Sequence, residues 1–240
     1  MTESTWQGFK RIDFTFLGRE AWLVFPKKPN GKGNWIFKTE YFDDFPDFQI
    51  KMLEVGWHLA FVKNKNRWGL EEDFEIKIEF IKHVSKSFNL SPKCVLEGMS
   101  LGGMFAVKLA AKYPEGVSAI YLDAPVMNFL SCPAGLGVAS NHIWDEFTEA
   151  TGMTLVDLIS YRDNPIDKMH LLYQNDIPIV MVYGDSDEVV PYSENGALLE
   201  KYYESVGGTI RTFGKVGCGH HPHGLEDNGP IIDFIMKYGT

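Results

Sequence analysis

Ser100 stands in Glu97-Gly98-Met99-Ser100-Leu101-Gly102-Gly103, a Gly-x-Ser-x-Gly motif. A short apolar run, Cys94-Val95-Leu96, precedes it, and Leu101, Met104, Phe105, Lys108 and Leu109 follow at helical spacing. Strand, tight turn and helix in that order make a nucleophile elbow, a strained turn that lifts the serine Oγ above the sheet. The flanking glycines remove side chains where strand and helix approach closely. The N–H of Leu101, at the helix N-terminus, then faces the place where a tetrahedral intermediate carries its charge. A serine hydroxyl is a weak nucleophile at neutral pH, so it needs an imidazole in reach and an acid to orient that imidazole. Gly217-Cys218-Gly219-His220-His221-Pro222-His223 offers the imidazoles. Gly184-Asp185-Ser186-Asp187-Glu188-Val189-Val190-Pro191, after the buried-strand run Ile177 to Tyr183, offers the acid. The same histidines could instead hold a metal, but the elbow argues for serine chemistry.

Serine, acid and histidine signals in that chain order resemble the α/β-hydrolase superfamily, from about Trp35 to the C-terminus. The superfamily's acid loop commonly reads Gly-x-x-Asp-x-x-Val-Pro and its base commonly follows Gly-x-Gly. The resemblance therefore implies Ser100 as nucleophile, Asp187 as orienting acid and His220 as base. His221 is the rival base, because His-His-Pro-His can shift the loop by one residue, and His223 supports the loop. Asp185 is the rival acid and more naturally braces the turn. The chain departs from the many lipases and esterases that carry His-Gly-Gly after the first central strand, having Lys38-Thr39-Glu40 there. Since the chemistry needs only a backbone N–H, Thr39 or Glu40 would join Leu101 in the oxyanion hole, with Thr39 taken first. Lys38 and Arg67 fall on loops at the same sheet end and could meet a substrate anion.

The elements that must position these groups alternate along the chain. Phe9–Phe16 and Ala21–Phe25 read as a hairpin about a Gly18-Arg19-Glu20 turn, and Trp35-Ile36-Phe37 as the first central strand. A helix capped by Asp43 and Asp44 runs to Gly56, and Trp57–Val62 is the next strand. Phe74 to Phe80 alternates like a strand, yet Phe74, Ile78, Ile81, Val84 and Phe88 keep helical spacing over a longer stretch, so Glu71–Phe88 is read as a helix. Val117–Leu122 is a strand, Glu194–Val206 a helix, Thr209–Phe213 the last strand, and Ile231, Phe234, Ile235 and Tyr238 one face of a final helix. This predicts an α/β-hydrolase fold, a mostly parallel sheet flanked by helices. Residues 127–175 break the rhythm with Pro133, Gly135, Gly137, Gly152 and Pro165 and read as a small inserted cap. Phe129, Leu136, Trp144, Phe147 and Tyr161 could wall an acyl pocket there, or form the cap's own core.

A chain of 240 residues, 45% hydrophobic, suits a single domain with one substantial core. A net charge of −9 with no basic cluster excludes a nucleic-acid footprint and disfavours anionic membranes. No run approaches the roughly 18 apolar residues of a membrane span, and no leader pattern opens the chain, so a cytoplasmic protein is expected. Cys94, Cys132 and Cys218 are odd in number and widely spaced, which suits free thiols. The expectation is a serine hydrolase acting on a small-molecule carboxylic ester, short-chain or carbohydrate-linked, without a cofactor. Its rivals are an aminopeptidase or amidase of prolyl-oligopeptidase type, with Asp145 or Glu146 binding the substrate amine, an acyltransferase, and a non-catalytic binding protein on the same fold.

Overall fold

Strands that are apolar on both faces need cover on both sides, and the chain supplies it by alternating strands with amphipathic helices. The computed structural model describes residues 1–140 and 142–240. In chain order the elements are β1 (Thr2–Trp6), β2 (Phe9–Phe16), β3 (Arg19–Phe25), β4 (Trp35–Lys38), α1 (Asp47–Glu54), β5 (His58–Val62), α2 (Glu71–Phe88), β6 (Cys94–Met99), α3 (Leu101–Lys112) and β7 (Val117–Asp123). There follow α4 (Trp144–Thr151), α5 (Leu155–Ser160), α6 (Met169–Gln174), β8 (Ile179–Gly184), α7 (Gly196–Val206), β9 (Ile210–Lys215) and α8 (Gly229–Tyr238).

The strands form one sheet in the order β1-β2-β3-β5-β4-β6-β7-β8-β9. From β5 through β9 every pairing is parallel, while β1, β2, β3 and β5 pair antiparallel. This is the mostly parallel sheet the resemblance implied. Alternation within β4 shows how the two faces are served. Trp35 and Phe37 join Phe80, Phe105 and Leu109 on the side of α2 and α3, whereas Ile36 joins Phe48, Met52, Ile231 and Ile235 on the side of α1 and α8.

Three local expectations are corrected. The N-terminal stretch, to which the sequence assigned no element, is β1, a polar edge strand whose one buried residue is Trp6. Two-residue turns at Gln7-Gly8 and Leu17-Gly18 join β1 to β2 and β2 to β3, all four residues at positive φ, so Arg19 and Glu20 belong to β3 and not to the turn. Helix α1 begins after Pro46 with no side-chain cap; the Asp43 carboxylate instead accepts a 2.8 Å hydrogen bond from Trp6 Nε1. The ambiguous Phe74–Phe80 stretch is helical within α2, whose buried face carries Phe74, Phe80, Ile81 and Val84, and also Lys77.

Between β7 and β8 the described residues add α4, α5 and α6 but no strand. Phe129, Phe147, Leu158 and Leu172 from this stretch are buried in the core on the α3 side. Among the described residues no helix is long and apolar enough to cross a membrane.

Candidate active site

Sheet register gathers the reactive groups at one edge. Met99 pairs with Asp123, Asp123 with Val182, and Gly184 with Lys215, so the loops leaving β6, β7, β8 and β9 emerge side by side at the strands' C-terminal ends, where open α/β sheets place their sites. Ser100 holds φ 52° and ψ −122°, a conformation a non-glycine residue keeps only under constraint. Three hydrogen bonds impose it. Its N–H donates to the Asp123 carbonyl at 2.9 Å, and its carbonyl accepts from Gly103 N at 3.0 Å and Val126 N at 2.9 Å. A Cβ on Gly98 would collide with the Gly102 carbonyl, so that crossing of strand and helix tolerates no side chain.

The structure brings Ser100, His220 and Asp187 together. Ser100 Oγ lies 3.1 Å from His220 Nε2, and His220 Nδ1 lies 2.7 Å from Asp187 Oδ2. A carboxylate can only accept, so Nδ1 carries the proton and Nε2 presents its lone pair to the serine O–H. Asp187 Oδ1 accepts from the N–H groups of Val189 and Val190, both at 2.8 Å. Burial raises the Asp187 pKa, but the His220 hydrogen bond and these two amides outweigh it and hold the carboxyl below its usual range.

The acid and base loops are knitted together. Ser186 N donates to Cys218 O at 3.0 Å, and Gly184 leaves no room for a Cβ beneath the Cys218 and Gly219 carbonyls. Asp185 accepts from Gly217 N at 2.7 Å, bracing that junction away from the serine. His221 is exposed and stacks on Phe45 at 5.6 Å. His223 is buried, its Nδ1 lying 2.8 Å from Asp123 Oδ1, while Gly224 N donates to the other oxygen of Asp123. Asp123 thus serves the nucleophile turn through its carbonyl and the histidine loop through its carboxylate, a role no sequence pattern announces.

The expectation for Thr39 is corrected. Its N–H donates to Glu97 O at 2.9 Å as a continuation of the β4–β6 ladder, and its hydroxyl donates to the Glu97 and Gly102 carbonyls, so Thr39 offers no free donor. Its carbonyl is fixed too, accepting from Asn64 Nδ2 at 2.9 Å and from Lys77 Nζ at 3.0 Å. In a trans peptide the following N–H points the opposite way, so these two donors also aim the N–H of Glu40. The Glu40 nitrogen lies beside the first turn of α3, 3.7 Å from where a Cβ on Gly102 would sit. Lys77 is fully buried between Phe37 and Phe105, and burial pushes its ammonium down to about 8.

A cleft of about 260 Å³ opens over Ser100. Its walls are Tyr41, Phe45, Arg67, Cys132, Ile143, Val189 and Val190, with His220 and His221 at one side. None of Phe129, Leu136, Trp144, Phe147 or Tyr161 lines it. Phe129 and Phe147 are core residues, and Leu136 is 51% exposed. Tyr41 and Phe45 sit at positive φ in the turn after β4, which swings their side chains in a direction periodicity does not forecast. Lys38 cannot meet a substrate anion: it is buried, donates to Asp44 O at 2.6 Å and lies 3.9 Å from the buried Glu97. Arg67 does reach the cleft, where Glu146 of α4 binds it through both oxygens, Nε to Oε1 at 2.7 Å. Trp68 Nε1 donates to the same carboxylate at 3.0 Å, so Glu146 is not free for a substrate amine.

Residues 56–205 match the Esterase family model. The chain belongs to the Esterase family. That family lies in the α/β-hydrolase superfamily of serine hydrolases. Solved structures similar to this esterase-family chain include an acylaminoacyl peptidase from Pyrococcus horikoshii, with a TM-score of 0.74 and 14% identity over 100% of this chain and 42% of that one. Dipeptidyl peptidase 4 from Porphyromonas gingivalis aligns with a TM-score of 0.70 and 14% identity over 95% of this chain and 34% of its own. A puromycin hydrolase S511A mutant aligns at 0.68 and 15%, over 89% of this chain and 36% of its own. These likenesses give the fold. The esterase-family chain spans about two fifths or less of those neighbours' length.

Proposed function

We propose that this chain hydrolyses a small carboxylic ester through an acyl-enzyme on Ser100. The observation that carries the reading is the unbroken relay from Ser100 Oγ through His220 to Asp187, at 3.1 and 2.7 Å. In the first half-reaction the serine oxygen bonds to the substrate carbonyl carbon as its proton passes to His220 Nε2. The tetrahedral oxyanion is met by the N–H groups of Leu101 and Glu40. Collapse breaks the carbon–oxygen bond to the alcohol, which leaves with the proton from Nε2. In the second half, water gives a proton to Nε2 and its oxygen to the acyl carbon; the acid departs and Ser100 regains its proton. Asp187, held in its charged form, keeps the imidazole in the required tautomer and stabilises the imidazolium.

Residues 127–175 act in this reading as a cap, contributing Cys132 and Ile143 to the cleft. The cleft's modest volume favours a short acyl chain or a compact acyl ester, such as one carried by a sugar. A panel of p-nitrophenyl esters beside aminoacyl p-nitroanilides tests this. Acetate and butyrate should exceed decanoate in kcat/KM by about tenfold or more, on the scale of about 1–3 kcal/mol per misfitting methylene. The peptidase-type neighbours support a second reading, an aminopeptidase or amidase. Anilide turnover above that of every ester would establish it in place of the first.

A further inference from the structure

We propose that His220, His221 and His223 form a binding site for a divalent transition-metal ion of the zinc class, and that an ion held there switches the hydrolase off. The inhibitory part rests on the reading in which His220 is the base.

The three imidazoles form a nearly equilateral cluster, with ring centroids 4.9, 5.0 and 4.9 Å apart and all rings edge to face. Their candidate ligand atoms lie within 4.8 Å of one another. Two of the rings are prepared for a metal in the same way. His220 Nδ1 is 2.7 Å from Asp187 and His223 Nδ1 is 2.8 Å from Asp123. A carboxylate on Nδ1 fixes the tautomer, puts the ring's lone pair on Nε2 and raises its basicity, as behind metal-bound histidines. Serine chemistry uses one such pair. The His223–Asp123 pair, equally buried, lies beside it with its second nitrogen uncommitted to that relay.

His221 is the exposed member and gives the entry route. Zinc–nitrogen bonds of about 2.0–2.1 Å set ligand atoms about 3.4 Å apart, so the cluster must draw in by at most about 1.4 Å. His221, free of the core, can supply that movement. Three imidazoles with one position left to solvent match what zinc takes, and imidazole selects zinc, copper and nickel over magnesium and calcium. The bound ion occupies the His220 lone pair that must accept the Ser100 proton, so turnover stops without any change in fold.

Calorimetric titration of metal-free protein with zinc chloride decides the site, and ester turnover against free zinc decides its effect. Wild type, Ser100→Ala and Cys218→Ser should each bind one ion with similar affinity, and His221→Ala should bind at least about tenfold more weakly. Cys218 is included because its Sγ lies 3.6 Å from His221 O. The midpoint of inhibition in wild type should match the calorimetric Kd. No saturable binding, or His221→Ala binding like wild type, overturns the site, and loss of binding in Cys218→Ser transfers it to the thiol. Binding without inhibition overturns the switch. Metal-free wild type that turns over no ester refutes the hydrolase reading, while the calorimetry still decides the site.

Discussion

Lys77 is the residue whose position most needs a reason. A lysine side chain in an aromatic core is expensive, and burial has pushed its pKa from 10.5 to about 8. Between those values the unfolded chain holds a proton that the folded chain has released, so stability rises with pH across that window and the charged form weighs against folding below it. The shift corresponds to about 3 kcal/mol. What the side chain does in exchange is donate to the Thr39 carbonyl, which in the proposed mechanism turns the Glu40 N–H toward the oxyanion. Lys77→Met should therefore separate stability from activity. In denaturant titrations the wild type should gain about 3 kcal/mol relative to the variant between pH 8 and 10.5. At pH 7 the variant's kcat should fall about tenfold or more with KM little changed, a fraction of the loss seen when a donor is removed outright. Unaltered kcat would leave Lys77 a packing residue. The choice between Thr39 and Glu40 was not legible in the sequence, because it turns on the plane of one peptide, which residue types do not encode.

At the scale of elements, α4 matters because it carries Glu146 to Arg67, which is one wall of the cleft. Phe147 docks it. Its ring meets Trp68 at 5.1 Å and Phe129 at 5.5 Å and is fully buried. Phe147→Ala should cost about 3–5 kcal/mol in chemical denaturation, the range for truncating a core aromatic. Val156 on α5 is 76% exposed, and Val156→Ala should stay within about 0.5 kcal/mol. Equal effects at the two positions would mean that α4 is not anchored as described. The aromatic residues of this stretch were legible as apolar, but whether each faces the core or the cleft depends on short helices whose orientation is set by tertiary packing. The cleft's own aromatic walls, Tyr41 and Phe45, come from a positive-φ turn that no period marks.

Across the whole molecule, the parallel sheet was readable because β4 to β8 are short apolar runs separated by helical patterns, and buried strands of that kind have few alternatives. The strand β1 was not, since Thr2, Glu3, Ser4 and Thr5 carry no apolar alternation and are held by pairing with β2. The relay was legible in outline because strand order brings the loops after β6, β8 and β9 to one edge, and Gly-x-Ser-x-Gly, Gly-x-x-Asp and Gly-x-Gly-His each mark a loop end. Asp123, which ties the elbow to the histidine loop, lies at the end of β7 with no motif around it. The central claim is that this architecture activates Ser100. Fluorophosphonate labelling of the folded protein, read by intact mass and peptide mapping, tests it most directly. The account predicts one adduct per chain, on Ser100, absent in Ser100→Ala and formed at least about 10³-fold more slowly in His220→Ala. A folded wild-type protein that takes no label at Ser100, or that labels equally well without His220, would contradict it.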